Sequence, residues 1–395
     1  MTIIGKKLIK KIIISIYLLD IIFGKKNDKS KYEEESKYLK LCHSHKLIKP
    51  IPKERNDHPK ISVFIPVYNG AEYIVTAIRS IQNQNFEDYE ILIIDDKSKD
   101  NSLEIIYKEA EKDCRIRILK NKKNYGTLYT KSKGIKNSKG KYFLLLDQDD
   151  CFSHPDAFST LFDTAEKNNA DIVHFNIFSS GLQELIIEER IKPTKLNQLI
   201  IKEDLREFIF LNLCYIWFWD KMYVTNNLKE SLDLFTSKRY KTHLIAHEDI
   251  ILNGLAASKS KSYYGIDKNY YWHNNQNEKA VTHNNHFRDN NFVLKYFSDF
   301  CEGFRLIYEY EKNFHGAYIT NGYTNNLVTY SEYILHYGLE KREDFLNKCK
   351  ILCDFILTIN PYSIEKEHLN ELDRMKKSIC FPEIYEKYKH VQTEL

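Results

Sequence analysis

Between Ile61 and Asn176 short apolar runs alternate with segments of helical periodicity, and only a few residues connect them. Residues 61–67 (ISVFIPV), Glu90–Asp95, Ile116–Leu119, Lys141–Leu146 and Asp171–Phe175 read as strands. Between them Tyr73, Ile74, Ala77, Ile78 and Ile81 recur at helical spacing. Asp100, Asn101 and Ser102 are cap residues opening a helix that carries Leu103, Ile106, Tyr107 and Ala110 on one face. Thr127–Asn137 and Pro155–Asn168 complete the helices. Strand–helix alternation with short links predicts an α/β fold, a mostly parallel central sheet covered by helices on both faces. In such sheets ligands bind at the carboxyl ends of the strands.

Those ends carry acids. After the second strand comes Asp95-Asp96-Lys97-Ser98-Lys99-Asp100, and the fourth runs into Asp147-Gln148-Asp149-Asp150. Three carboxylates within four residues at the tip of a buried strand repel one another and are costly to desolvate. Mg²⁺ or Mn²⁺ would offset both, since these cations take hard oxygen ligands and complete their shell with substrate phosphates. A solvated acidic turn or a helix cap is the plainer alternative for such a cluster.

The company of the acids separates these readings. The pieces IPVYNGAEYI (65–74), IIDDKSKDNS (93–102), NYG (124–126) and KGKYFLLLDQDD (139–150), in this order, resemble the nucleotide-sugar-binding half of family 2 glycosyltransferases of the GT-A fold. By that resemblance Pro66, Tyr68, Asn69 and Asp96 line the donor pocket, with Tyr68 stacking on uracil and Asp96 accepting its N–H. Asp149 would meet the ribose and flank the metal held by Asp150, and Asp147 would support the turn. The sequence departs from the pattern at Lys97, where the family has a small residue, and at Lys131-Ser132, where it has Arg-Asn. Lys131 offers a phosphate a point charge but not arginine's planar fork.

Beyond residue 180 the alternation fades. Trp217-Phe218-Trp219-Asp220-Lys221-Met222-Tyr223 and, later, His247-Glu248-Asp249 are similar to the acceptor region of bacterial members of the family. The resemblance makes Asp249 the general base and Glu248 its neighbour; the plainer reading is a helix-start pair before Ile250. His243 and His247 stand four apart, but no third ligand follows at convincing spacing and no HExxH motif forms, which argues against zinc. Cys42-His43-Ser44-His45 reads as a chance cluster. Tyr263–Trp272 reads as a strand leading through His273, a candidate diphosphate or metal contact, into an Asn-rich loop at 274–278 that closes over the donor or forms a polar turn.

Composition bounds the rest. The chain has 395 residues, 43% hydrophobic and 29% charged, the balance of a globular protein of two or three domains. A net charge of +4 is too weak to imply nucleic acid. Residues 1–60 hold 15 lysines and arginines against 7 acids, so the positive charge belongs to an amino-terminal arm. Within the arm Ile12–Phe23 is apolar and flanked by lysines. As a helix it would rise roughly 18 Å, short of a membrane span. It reads either as a helix packed on the protein's own surface or as an interfacial anchor making peripheral membrane contact through residues 6–26. Eight scattered cysteines without a CxxC pair fit reduced thiols in the cytosol.

Four regions are expected: the arm (1–60), a nucleotide-sugar-binding half (61–180), an acceptor and base half (181–286) and a helical C-terminal region (287–395). The resemblance implies a metal-dependent, inverting glycosyltransferase. Its donor would be a nucleoside diphosphate sugar, with a UDP-sugar the first choice, and its acceptor a glycan or lipid-linked hydroxyl, in surface polysaccharide synthesis on the cytoplasmic side of a bacterial membrane. The rivals are a nucleotidyltransferase on a similar sheet, which would normally carry a Gly-rich phosphate loop where Tyr68-Asn69-Gly70 stands, and a catalytically inactive nucleotide-sugar-binding scaffold.

Overall fold

A computed structural model describes residues 33–179, 188–191, 196–202, 217–234 and 247–274, with a few isolated positions besides. Along the chain these form α1 (Glu33–His43), β1 (Ile61–Val67), α2 (Ile74–Gln82), β2 (Tyr89–Asp95), α3 (Ser102–Ala110), β3 (Ile116–Lys120), α4 (Thr127–Asn137), β4 (Tyr142–Leu145), β5 (Cys151–Phe152) and α5 (Ala157–Asn168). The second half adds β6 (Ile172–Ser179), β7 (Glu188–Ile191), β8 (Leu199–Ile201), β9 (Lys221–Val224), α6 (Thr225–Leu234), α7 (Glu248–Lys259) and β10 (Ser262–His273). The apolar run 12–23 lies outside the described residues. So does most of 287–395, where only positions 295, 299, 302 and 306 are described, all of them helical.

One sheet contains all ten strands, in the order β3-β2-β1-β4-β9-β6-β10-β5, with β7 on β6 and β8 on β10. Its first four strands are parallel. Beyond them antiparallel strands enter, and the sheet is mixed. β9, drawn from the Trp217–Tyr223 segment, inserts antiparallel between β4 and β6, pairing Phe143 with Tyr223 and Val173 with Met222. β6 is parallel only to β10. An apolar run records burial and not direction, so alternation up to residue 176 carried no trace of a strand arriving later in the chain.

The core is continuous across this sheet. β2 is buried along its whole length, and Phe64 of β1 stacks on Phe143 of β4 at 6.0 Å. Half of the arm belongs to the same body. α1 starts on Glu33, Glu34 and Glu35 and ends near Lys40 and His43, which suits its dipole. The Tyr38 hydroxyl donates to the Ser80 carbonyl at 2.8 Å, and Leu39 and Cys42 are buried. His43 meets Trp272 edge-on at 5.4 Å, so α1 braces the end of β10 from behind. Burial pushes the Cys42 thiol up to about 12, the behaviour of an inert packing residue. Among the described residues no helix is long and apolar enough to cross a membrane.

α4 approaches β1 through Gly134, where an added Cβ would stand 2.6 Å from the Phe64 ring. That ring is fully buried and cannot step aside. Gly134→Ala is expected to destabilise the protein by roughly 1–3 kcal/mol, the usual cost of overpacking. Urea denaturation reads this directly, and an unchanged midpoint would mean that α4 does not sit so close.

Candidate active site

Every strand end that faces the site delivers a polar group. At Pro66 the missing N–H is harmless: Phe64 accepts from the Leu146 N–H, Pro66 faces the same side two residues on, and the β1–β4 ladder has ended by then. The next turn is held from two sides. From the β2 side the Ser98 hydroxyl accepts the Asn69 N–H at 3.0 Å, and the Lys99 N–H donates to Asn69 Oδ1 at 2.8 Å. From the β4 side Gln148 binds the Tyr68 backbone. The Tyr68 ring itself is 37% exposed.

Asp95 and Asp96 end β2 and are both buried. Asp96 accepts the Asn121 amide at 2.8 Å and the backbone N–H groups of Tyr125 and Gly126 at 3.0 and 2.9 Å, which ties the Asn124-Tyr125-Gly126 turn to the sheet. Lys97 follows at φ 67, a left-handed conformation that bulky residues rarely adopt. A residue without a Cβ would avoid that cost, and this chain carries the strain.

At the centre lies Lys131 of α4, buried to 3% exposure. Its Nζ stands 2.7 Å from Glu248, 3.2 Å from Asp249 and 3.8 Å from Asp147. Glu248 and Asp249 open α7, after His247 at φ 66, while Asp147 follows β4. Burial alone would pull the ammonium down, but the three carboxylates outweigh it and hold Lys131 well above the ordinary lysine range. Burial also opposes ionisation of Glu248, yet the adjacent ammonium wins and lowers that group. Asp249 behaves otherwise. Burial, with Glu248 and Asp147 nearby, pushes it up to about 7 against the pull of Lys131.

A second cluster adjoins the first. Asp150 is buried to 2%, and it accepts the Tyr271 hydroxyl at 2.7 Å and the Asn274 N–H at 2.9 Å. His273 Nδ1 lies 3.2 Å from Asp150, and its ring stacks on Trp219 at 5.6 Å. Asp149 accepts the Asn277 amide at 2.6 Å. Desolvation pushes Asp149 up to about 6, reinforced by Asp150. Asp147 reaches about 6 in the same way, although 31% of its side chain is open at the mouth. The Asn-rich loop contributes through Asn274 and Asn277; residues 275, 276 and 278 lie outside the described set, as does His243.

The structure thus brings Lys131, Asp147, Glu248 and Asp249 around one ammonium, and Asp149, Asp150 and His273 beside them. Tyr68, Asn69 and Pro66 come from the neighbouring strand end, while Asp96 serves the turn after β3. Sequence reasoning gave no role to Gln148 or Tyr271, and it marked Trp219, Asn274 and Asn277 only as parts of longer segments. Tyr271 is one of 28 tyrosines and no local pattern marks it. Among the described residues no group of three or more histidine, cysteine or acidic side chains is gathered as a ready-made metal cage.

Residues 62–225 match the family model described as glycosyl transferase family 2. That stretch is similar to family 2 glycosyltransferases, and the fold around it is of the GT-A type. The chain is 34% identical over 119 residues to glycosyltransferase GlyG of Streptococcus pneumoniae, covering 30% of this chain and 39% of that protein. It is 30% identical over 195 residues to the cholesterol galactosyltransferase of Borreliella burgdorferi, covering 49% of this chain and 53% of that one. The chain thus spans about half or less of the length of these curated relatives. Among solved structures S. aureus TarS 1–349 in complex with UDP-GlcNAc shares the fold, with a TM-score of 0.61 at 19% identity over 84% of this chain and 92% of that one.

Removing Lys131 would leave three acids without their cation. Lys131→Ala is expected to cost roughly 3–5 kcal/mol, as breaking a buried ion pair does. The loss should shrink as the pH falls from 8 to 6. In the variant the folded state takes up protons on these raised carboxyls that the unfolded chain does not, so acidification favours folding. Chemical denaturation across that range tests this, and a gap that stays constant with pH would show that the acids do not share the lysine.

Proposed function

We propose that the protein transfers a sugar from a nucleoside diphosphate sugar, most simply a UDP-sugar, to a hydroxyl of a glycan or lipid-linked acceptor, with inversion at the anomeric carbon. The observation that carries this reading is the junction at Lys131. One buried ammonium links Asp147, in the turn assigned to the donor, to Glu248 and Asp249 in the half assigned to the acceptor. Two solved TarS complexes of the same fold, one with UDP-GlcNAc and one with UDP, support the choice of donor.

In this reading Asp249 is the general base. Direct displacement needs a carboxylate opposite the leaving diphosphate to take the acceptor hydroxyl's proton. A group pushed up to about 7 is matched to that task near neutral pH. Glu248, held ionised against Lys131, keeps the lysine charged and aimed between the two halves. Tyr68 offers an exposed ring to the nucleobase.

Mn²⁺ or Mg²⁺ fits the second cluster in the manner of sites that use one or two carboxylates and let phosphates and water complete the shell. Asp150 would hold it, with Asp149 and His273 alongside, and the surplus of acids over cations here favours a positive guest. When bound it would neutralise charge developing on the departing diphosphate. The proposed setting is the cytoplasmic face of a bacterial membrane, in surface polysaccharide synthesis, with peripheral contact through residues 6–26.

Asp249→Asn is expected to lower kcat by about 10²–10⁴-fold while donor affinity stays near wild type. Activity of the unaltered protein should fall below pH of about 7, because the base must be unprotonated to act. Asp150→Ala, or EDTA, should abolish transfer from UDP-sugars, read as UDP release with and without an acceptor panel. Full activity in either variant rejects the role given to that residue, and release of pyrophosphate in place of UDP would favour a nucleotidyltransferase.

A further inference from the structure

Gln148 is the one member of the Asp147–Asp150 turn without a carboxylate, and neither the metal nor the base reading uses it. Its side chain turns away from its neighbours to the tip of β1. The Gln148 Oε1 accepts the Tyr68 N–H at 3.0 Å, and its Nε2 donates to the Tyr68 carbonyl at 3.1 Å. This two-point pairing joins residues 80 apart in sequence. It resembles one rung of a sheet ladder, built by a side chain where the β1–β4 ladder has already ended at Phe64 and Leu145.

The room for that carboxamide comes from Gly70. A Cβ at Gly70 would stand 2.2 Å from Gln148 Oε1 and 2.6 Å from its Cδ. The Gly70 N–H is meanwhile fixed by Ser102 Oγ at 2.8 Å, and the Ala71 N–H by Asp100 at 3.2 Å. So the loop after β2 and the first residue of α3 anchor Asn69, Gly70 and Ala71, whereas the Tyr68 amide groups are held from the β4 turn by Gln148. The Tyr68 ring is exposed, so the backbone decides where it stands.

The geometry points to Gln148 as a positioning residue that fixes the span between Tyr68 and the Asp149/Asp150 carboxylates, making the site a gauge for a ligand that carries a base at one end and a diphosphate at the other. It rests on the donor reading given above. A ligand gripping only one end can follow that end if the clamp is cut. A ligand gripping both depends on the separation.

The test is calorimetry on the full chain with Mn²⁺ present, using UDP and uridine as probes. Gln148→Ala and Gly70→Ala should each weaken UDP about tenfold, the scale of two lost hydrogen bonds, while uridine changes less than threefold. Gly70→Ala acts by evicting the carboxamide, so the double variant should be no weaker than either single one, since the methyl then fills vacated space. Gln148→Glu, of the same size, keeps the acceptor but sets an oxygen against the Tyr68 carbonyl and should match Gln148→Ala; it keeps the test decisive if the smaller residue fails to fold. Unchanged UDP binding, equal losses for UDP and uridine, or additive losses in the double variant would each overturn the inference. If the natively folded wild type binds no nucleoside diphosphate at all, the donor reading falls and takes this inference with it, an outcome told apart by the wild type alone.

Discussion

A lysine buried to 3% exposure is tolerable only if its surroundings repay the water it has lost, and around Lys131 that repayment comes from three carboxylates on two separate elements. The arrangement is asymmetric. Glu248 has the closest approach, Asp249 the next, and Asp147 the loosest, and the acids divide accordingly: Glu248 is held down while Asp249 and Asp147 are pushed up. Two titratable groups driven apart by environment are the usual means of assigning different roles to like residues. A guanidinium would pair two oxygens in a fixed fork, whereas a compact ammonium can sit at graded distances from three. Lysine at this position, where the resemblance implies arginine, thus shares its charge among all three acids.

Holding that junction in place requires the antiparallel part of the sheet. β9 enters between β4 and β6, and from its end Tyr223 donates to Asn253 of α7 at 2.9 Å. The Asn253 amide in turn donates to the Asp249 carbonyl at 3.0 Å, so the first turn of α7 is aimed by β9. The segment just before β9 supplies Trp219, which packs on Tyr271 and His273 behind Asp150. Its neighbour Asp220 is fully buried between His174 and Lys221, which pins the segment to the core. One short strand therefore orders both clusters, the base side through Asn253 and the Asp150 side through Trp219.

The parallel half was legible in the sequence because each strand there is a buried run and each helix has a periodic apolar face, so β1 to β4 and the helices between them fall within a residue or two of expectation. The acids at the ends of β2 and β4, and the Glu248-Asp249 pair, were visible for the same reason, since charge next to burial is conspicuous. What the sequence hid was relational. Nothing local says that Lys131, on a helix before β4, reaches Asp249 across 118 residues. Tyr271, Asn274 and Asn277 bind the acids; the Asn-rich loop stood out as a whole, but nothing local names these residues or their partners. The direction of β9 was unreadable because pairing partners, not hydrophobicity, decide it.

The two clusters differ in the kind of neutralisation each has. Around Lys131 the acids possess an internal cation, and their protonation is settled within the protein. Around Asp150 the partners are a hydroxyl, a backbone N–H and an imidazole, which satisfy hydrogen-bonding but supply little fixed positive charge. Burial, with Asp150 adjacent, pushes Asp149 up to about 6. On the proposed reading the difference is functional. The base side must be complete before substrate arrives, since a base that needed an outside ion could not be held near neutrality. The donor side is left short of positive charge, and a cation arriving with a diphosphate relieves it. Donor binding would then be worth more to this site than its contacts alone, because it also relieves the repulsion among the acids of that turn.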